Sequence, residues 1–200
     1  MYSKSIQALI KAFSRLPSVG GRTAERFVFH LLRSGKKDVG ELTLALKELI
    51  ENVKSCEVCW DFADASPCAI CADTKRDHST ICVVSEPQDV QVFEKPRMYQ
   101  GRYHVLRGTV TQSNPDSMRF LKVDALLARL QKEDIQEVVL SLNPDLPGET
   151  TMMFLEKRIR AIAPHIRISR LARGLPMGSD MRYADEITLQ SAFTNRTKSI

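Results

Sequence analysis

No stretch of this 200-residue chain approaches the roughly 18 uninterrupted apolar residues that a membrane-spanning helix needs. The amino terminus carries Lys4, Gln7 and Lys11 where a secretory leader would be apolar. Together these make the cytoplasm the expected compartment. There is no G-x-x-x-x-G-K-[ST] loop to cradle a nucleotide phosphate, so the faintly Walker-B-like run Tyr183-Ala184-Asp185-Glu186 has no partner motif. The four histidines are as uninformative: His30 reads as a packing or polar-edge residue, and His78, His104 and His165 stand in no metal-ligand spacing, which argues against a zinc hydrolase. Internal repeats and low-complexity tracts are absent. With 43% hydrophobic and 26% charged residues, the chain has enough apolar material for a globular fold, and disorder is excluded.

Against that sparse background the cysteines stand out. There are five, an odd number, and four of them form C-x2-C-x8-C-x2-C at Cys56, Cys59, Cys68 and Cys71. In a reducing compartment such pairs indicate metal rather than disulfides. Four thiolates complete a tetrahedral shell with no position left for water, which makes the site a structural zinc, one per chain. The segment from 56 to 71 has only Trp60, Phe62 and Ile70 as bulky apolar residues and cannot build a core unaided. Cys82, inside the apolar run Ile81 to Val84, reads as a small core residue instead.

The net charge of +5 is unevenly placed. Residues 1–55 hold ten Lys/Arg against five Asp/Glu, whereas residues 56–200 hold nineteen of each. The surplus suggests a polyanion-binding module at the amino terminus, with a merely solubilising basic surface as the alternative. Helical spacing at Ile6, Leu9, Ile10, Phe13 and Leu16 stops at Pro17. A second helix follows Gly20 and Gly21 with Ala24, Phe27, Val28, Leu31 and Leu32 on one face, ending near Ser34 and Gly35. Asp38 and Glu41 have capping-box spacing and open a third helix carrying Leu42, Ala45, Leu46, Leu49 and Val53. The connection Leu16 to Gly21 resembles a helix-hairpin-helix, with Ser18 at the first loop position where glycine is usual. Its second helix would offer backbone N–H groups at Gly20 to a phosphate, with Arg22 and Arg26 one turn apart; simple helix packing is the other reading of such a hairpin.

Beyond the cysteines, strand-like and helical runs alternate. Strands are expected at Ile81 to Val84, Tyr103 to Leu106, Val138 to Leu142 and Ile166 to Leu171. Helices are expected at Gln88 to Glu94, Val123 to Leu130 and Glu149 to Ile162. This is the pattern of an α/β domain with a mainly parallel sheet. The tail from Gly174 holds a short run, Ile187 to Leu189, that reads as an edge strand or an arm laid on a neighbour.

The order of these parts resembles the RecR family of bacterial recombination proteins over essentially the full length. The resemblance is carried by Leu16 to Gly20, the cysteine quartet, Ile81-Cys82-Val83-Val84, Gly101 to Leu106, Asn143-Pro144 with Gly148-Glu149, and Arg170 to Pro176. It implies an α/β multidomain chain: a helix-hairpin-helix DNA-binding domain at 1–55, a zinc finger at 56–79, a Toprim-like domain at 80–173 and an oligomerisation tail at 174–200. It also implies sequence-independent DNA binding, a ring-shaped homotetramer acting as a DNA clamp, and partnership with RecO, and RecF where present, in recombinational repair. Toprim catalysis elsewhere uses a Glu after the first strand and a D-x-D after a later one. Here those positions read Ser85-Glu86 and Asn143-Pro144-Asp145, so Mg²⁺ affinity should be poor. Glu86, Asp145 and Glu149 are left as a weak Mg²⁺ site, an acidic docking surface for a partner, or ordinary solvated carboxylates. Tyr99 and Tyr103, as would-be nucleophiles, have no metal to work with. The expectation is a non-enzymatic DNA scaffold. The alternatives are a Mg²⁺-dependent Toprim nuclease or nicking-closing enzyme and, third, an RNA-binding zinc protein.

Overall fold

The computed structural model describes residues 2–110 and 118–196. Residues 111–117 of the expected α/β domain and 197–200 of the expected tail lie outside that description. The chain divides into two compact units, residues 1–53 and 54–200.

The first unit is three helices: α1 Lys4–Phe13, α2 Gly21–Ser34 and α3 Lys36–Asn52. Ser3 caps α1, its hydroxyl accepting from the Ile6 N–H at 3.4 Å. α1 and α2 pack through Ala24 and Val28, the two fully buried residues of α2, and through edge-on ring pairs, Tyr2 with Phe29 at 5.2 Å and Phe13 with Phe27 at 5.8 Å. The third helix departs from expectation at its start. It begins at Lys36, directly after Gly35, whose φ of 90° lets the chain leave one helix and enter the next. Asp38 therefore lies inside the first turn, and no capping box with Glu41 forms. No residue of α3 is buried within the unit, and Leu46 and Leu49 are 53% and 58% exposed.

The second unit opens on a finger: β1 Lys54–Ser55 pairs antiparallel with β2 Phe62–Ala63, followed by the one-turn helix α4 Ala69–Ala72. Then come β3 Thr80–Val84, α5 Pro87–Glu94, β4 Arg102–Val105, α6 Val123–Lys132, β5 Glu137–Leu140, α7 Leu146–Ile162 and β6 Arg167–Arg170. The four longer strands form one parallel sheet in the order β4-β3-β5-β6. Covered on both faces, β3 is an almost unbroken apolar run with every residue from Ile81 to Val84 buried. α5 covers one face through Val90, against Cys82, Val84, Tyr103 and Val105. α6 and α7 cover the other through Leu126, Leu130, Leu155 and Ile159, against Ile81, Val83, Val138 and Leu140.

The tail is helical, not a strand. A 3₁₀ turn, Met181–Tyr183, leads into α8 Glu186–Thr194, which contains Ile187 to Leu189. Asp185 caps it, its carboxylate accepting from the Thr188 N–H at 2.9 Å and from the Thr188 hydroxyl. That capping role accounts for Asp185 of the Walker-B-like run. Among the described residues, no helix is long and apolar enough to cross a membrane.

Candidate metal centre and nucleic-acid interface

Two local devices gather the four cysteines. Cys56 and Cys59 sit in the loop between β1 and β2, where the Cys56 N–H donates to the Asp61 carbonyl at 2.8 Å and the Trp60 N–H to the Cys56 carbonyl at 2.9 Å. Cys68 caps α4 and Cys71 lies one turn along it. All four sulfurs fall within 4.8 Å of one another, and Cys59 Sγ is 3.6 Å from Cys68 Sγ. A tetrahedral zinc with Zn–S bonds of about 2.3 Å would space its sulfurs about 3.8 Å apart. Backbone N–H groups already point at two of them, Cys68 N–H at Cys56 Sγ (3.3 Å) and Cys71 N–H at Cys68 Sγ (3.5 Å). The electrostatics fit a cation as well. Hydrogen bonds from Cys59 and then Cys71 pull the Cys68 thiol far down, while the same contact with Cys68 drives the Cys59 thiol up. Sulfurs crowded this closely cannot all carry negative charge side by side unaided, and a dication removes that penalty. Three of the ligands are buried and Cys71 is half-buried, leaving no open position for chemistry. The quartet is a structural zinc site.

The finger is clamped to the α/β domain by residues that spacing arguments overlooked. The Val105 N–H donates to the Cys59 carbonyl at 2.8 Å. Arg107 donates from Nε to the Trp60 carbonyl (2.7 Å) and from Nη2 to the Ser55 hydroxyl (3.0 Å), and its guanidinium lies 3.8 Å over the Phe62 ring. Lys122 Nζ sits 4.2 Å over the Trp60 ring. Trp60 and Arg107 both take left-handed backbone, at φ 66° and 65°, a cost the mutual hydrogen bond offsets.

In the first unit, Ser18 takes the glycine-like conformation itself, at φ 62°. The turn is closed by the Val19 N–H donating to the Leu16 carbonyl at 3.1 Å. Gly20 is the N-cap of α2 and supplies no side-chain cap; a Cβ there would meet nothing within 4 Å. The first-turn N–H groups thus face solvent at the positive end of a 14-residue helix. Arg22 and Arg26 are exposed one turn apart, and neither is ion-paired among the described residues.

The three carboxylates at the C-terminal edge of the sheet are each used locally. Glu86 caps α5 in a reciprocal box with Asp89, whose carboxylate accepts from the Glu86 N–H at 2.8 Å. Asp145 caps α7, accepting from the Gly148 N–H at 2.8 Å; a Cβ at 148 would collide with the Asn143 carbonyl. Glu149 pairs with Arg170 and Arg173. Among the described residues, these three are not gathered into a ligand cluster as the cysteines are. Tyr99 and Tyr103 are held out of reach: burial pushes both phenols up, the Tyr103 hydroxyl donates to Glu94 at 2.8 Å, and the Tyr99 hydroxyl donates to the Arg102 carbonyl at 3.2 Å. Cys82 is buried beside Ser141, its thiol pushed up to about 11 by desolvation.

Family models match the chain in four consecutive segments. They are a RecR helix-hairpin-helix at residues 6–50, a RecR four-cysteine zinc finger domain at 53–73, a Toprim domain at 79–172 and a RecR C-terminal segment at 174–197. Curated relatives named "Recombination protein RecR" align nearly end to end. That of Moorella thermoacetica is 41% identical over 195 residues, 98% of this chain and 97% of the relative. Those of Bifidobacterium adolescentis and Natranaerobius thermophilus are each 42% identical over 195 residues, covering 98% of this chain and 96% and 97% of the relatives. With helical hairpin, four-cysteine finger, parallel α/β sheet and helical tail in the same order, the chain belongs to the RecR family of recombination proteins.

Proposed function

We propose that the protein is a non-enzymatic DNA-holding scaffold of recombinational repair, assembled as a ring-shaped tetramer that encircles DNA and works with RecO, and with RecF where present. The observation that carries this reading is the hairpin: a helix end with its N–H groups free, at Gly20, and Arg22 and Arg26 exposed without carboxylate partners. Such a surface holds a phosphate backbone and reads no base, so binding is sequence-independent and weak per contact. A ring makes weak contacts sufficient, because the DNA is retained topologically. Two apolar surfaces exposed among the described residues support assembly through two interfaces. One is α3, with Leu44, Leu46, Leu49 and Ile50 exposed; the other is the tail, with Tyr183, Ile187 and Phe193 exposed. The zinc fixes the finger against the sheet, and the acidic residues Glu86, Asp145 and Glu149 are assigned to partner docking rather than Mg²⁺ chemistry.

The direct test is binding and cleavage on one set of substrates. Anisotropy with labelled single-stranded, gapped and duplex DNA should show sequence-independent affinity that unlabelled RNA competes for poorly. Incubation with Mg²⁺ should leave nicked and supercoiled DNA intact. Robust cleavage abolished by Glu86→Ala or Asp145→Ala would replace the scaffold reading with a Toprim nuclease or nicking-closing enzyme.

A further inference from the structure

A cavity of about 590 Å³, used by none of the roles above, opens between the exit of β6 and the end of α8. Arg170 and Arg173 line it from the strand side; Ser191, Thr194, Asn195 and Arg196 line it from the helix. The two walls touch locally: a Cβ at Gly174 would lie 3.9 Å from Ala192, and Asn195 Nδ2 donates to the Arg173 carbonyl at 3.5 Å. Three arginines and no carboxylate line the cavity. Composition does not account for this, because residues 56–200 hold equal numbers of basic and acidic side chains. Ion pairing does not cancel the charge either. Arg170 pairs with Glu149 at 3.4 Å and with Glu156 at 2.9 Å, Arg173 pairs with the same Glu149, and Arg160 with the same Glu156. Arg196 has no ion pair among the described residues. Four guanidiniums therefore face two carboxylates, an excess of two positive charges. The donors are within reach of a ligand: the Arg170 and Arg173 side chains are 34% and 40% exposed, and Arg196 is exposed. Arg196 spends only Nη1, on the Phe193 carbonyl at 2.9 Å, and Arg173 only Nη2, on Glu149. Their remaining N–H groups and the Ser191 hydroxyl have no partner among the described residues.

We infer that this cavity holds phosphodiester groups of a nucleic-acid backbone, as a second contact lying in the unit that does not contain the hairpin. Guanidinium N–H forks match the paired oxygens of a phosphate, and the excess charge balances the anion. The lining has no aromatic ring on which a base could stack, so the contact is made to the backbone and reads no sequence. An acidic polypeptide is the poorer occupant: such partners are held by apolar anchors in closed pockets, and here only Leu171 and Ala172 offer apolar surface. The inference rests on the DNA-holding reading for the identity of the polyanion, but not on the hairpin.

Arginine footprinting reads the site directly. The full-length, zinc-loaded protein is treated with phenylglyoxal, and the modification rate of each arginine is followed by mass spectrometry. It is treated alone, with saturating oligothymidylate or mixed-sequence duplex DNA, with inorganic phosphate at the same phosphate concentration, and with an acetylated oligoglutamate amide. Arg173 and Arg196 should react in the free protein and be protected by both DNAs, with little protection by free phosphate or by the peptide. Arg22 and Arg26 are read in the same spectra, so protection at one place without the other shows which of the two contacts failed. Arg196→Ala breaks no ion pair and lies at the exposed end of α8, so the fold should survive, with zinc content as the check. In fluorescence anisotropy its log–log salt slope should be shallower than the parent's by about one unit per engaged chain, in the parent background and in Arg22→Ala/Arg26→Ala alike. The footprint of the unsubstituted protein stands whatever this variant does to assembly. An Arg196 unreactive in the free protein, equal reactivity with and without DNA, protection by free phosphate or oligoglutamate as strong as by DNA, or an unchanged slope in Arg196→Ala would each overturn the assignment.

Discussion

His104 offers a test of how the edge of the sheet is built. It is fully buried on β4, and its Nε2 lies 2.8 Å from the Lys122 carbonyl. A carbonyl only accepts, so Nε2 carries the proton and Nδ1 is a bare lone pair, which has no partner among the described residues. Protonation would place a charge and a donor without acceptor in the core, beside the Arg129 guanidinium. Burial, first, and then that guanidinium, against the opposing Lys122 bond, bring the imidazole down from 6.5 to about 4. The unfolded chain takes up a proton near pH 6.5, while the folded chain refuses it until about pH 4. Stability is therefore complete above pH 6.5 and declines as pH falls through that window, by about 2 kcal/mol at pH 5 and about 3 kcal/mol at pH 4. Glu133, with Arg102 and Arg129, forms the ionic network on this side of the sheet and is common to any variant. The assay is urea unfolding of wild type and His104→Gln across pH 8 to 5 in zinc-containing buffer. Gln can keep the Nε2-type donation to the Lys122 carbonyl but cannot titrate. Loss of zinc in acid affects both proteins, so the difference between the two curves isolates the imidazole. The variant should lose about 2 kcal/mol less than wild type over this range. Parallel curves for the two proteins would refute the reasoning.

Other consequences follow from the same structure. Cys59→Ala or Cys68→Ala should give misfolded or aggregating protein, because zinc binding in such a finger is folding free energy of order 10 kcal/mol, whereas Cys82→Ser should retain one equivalent of zinc by elemental analysis. Arg107→Ala removes the charged hydrogen bond to the Trp60 carbonyl and the contact over Phe62, and should cost about 2 kcal/mol in chemical denaturation, with Arg107→Lys recovering little. Deleting residues 1–53, which carry the exposed face of α3, or residues 185–200 should each convert tetramers to dimers in light scattering; an intact protein that is monomeric, or truncations that stay tetrameric, would contradict the two-interface ring.

The metal ligands were readable because their signal is local: each pair closes a turn around one ion, so spacing alone carries the chemistry. The parallel sheet was readable for a related reason, since strands covered on both faces, such as Thr80–Val84, must be continuous apolar runs. Misreadings arose where two local rules competed. Asp38 and Glu41 have the spacing of a capping box, yet Gly35 at φ 90° starts the helix earlier. Ile187 to Leu189 is too short a run to declare its period, and the Asp185 cap decides for helix. What could not be read at all is what joins distant segments. Arg102 and Glu133 are 31 residues apart, Arg129 and Tyr103 are 26 apart, and Arg107 reaches back 47 residues to Trp60; no periodicity encodes such pairs.

The central claim, that the helical hairpin holds DNA by its backbone, is tested most directly by the salt dependence of binding in Arg22→Ala/Arg26→Ala. Affinity of the parent protein for labelled DNA should fall linearly on a log–log plot against salt, since each neutralised phosphate releases counterions. Each arginine accounts for about one phosphate per chain, so the double variant should bind every sequence more weakly and show a slope shallower by about two units per engaged chain. A double variant with the parent's affinity and slope would contradict the account.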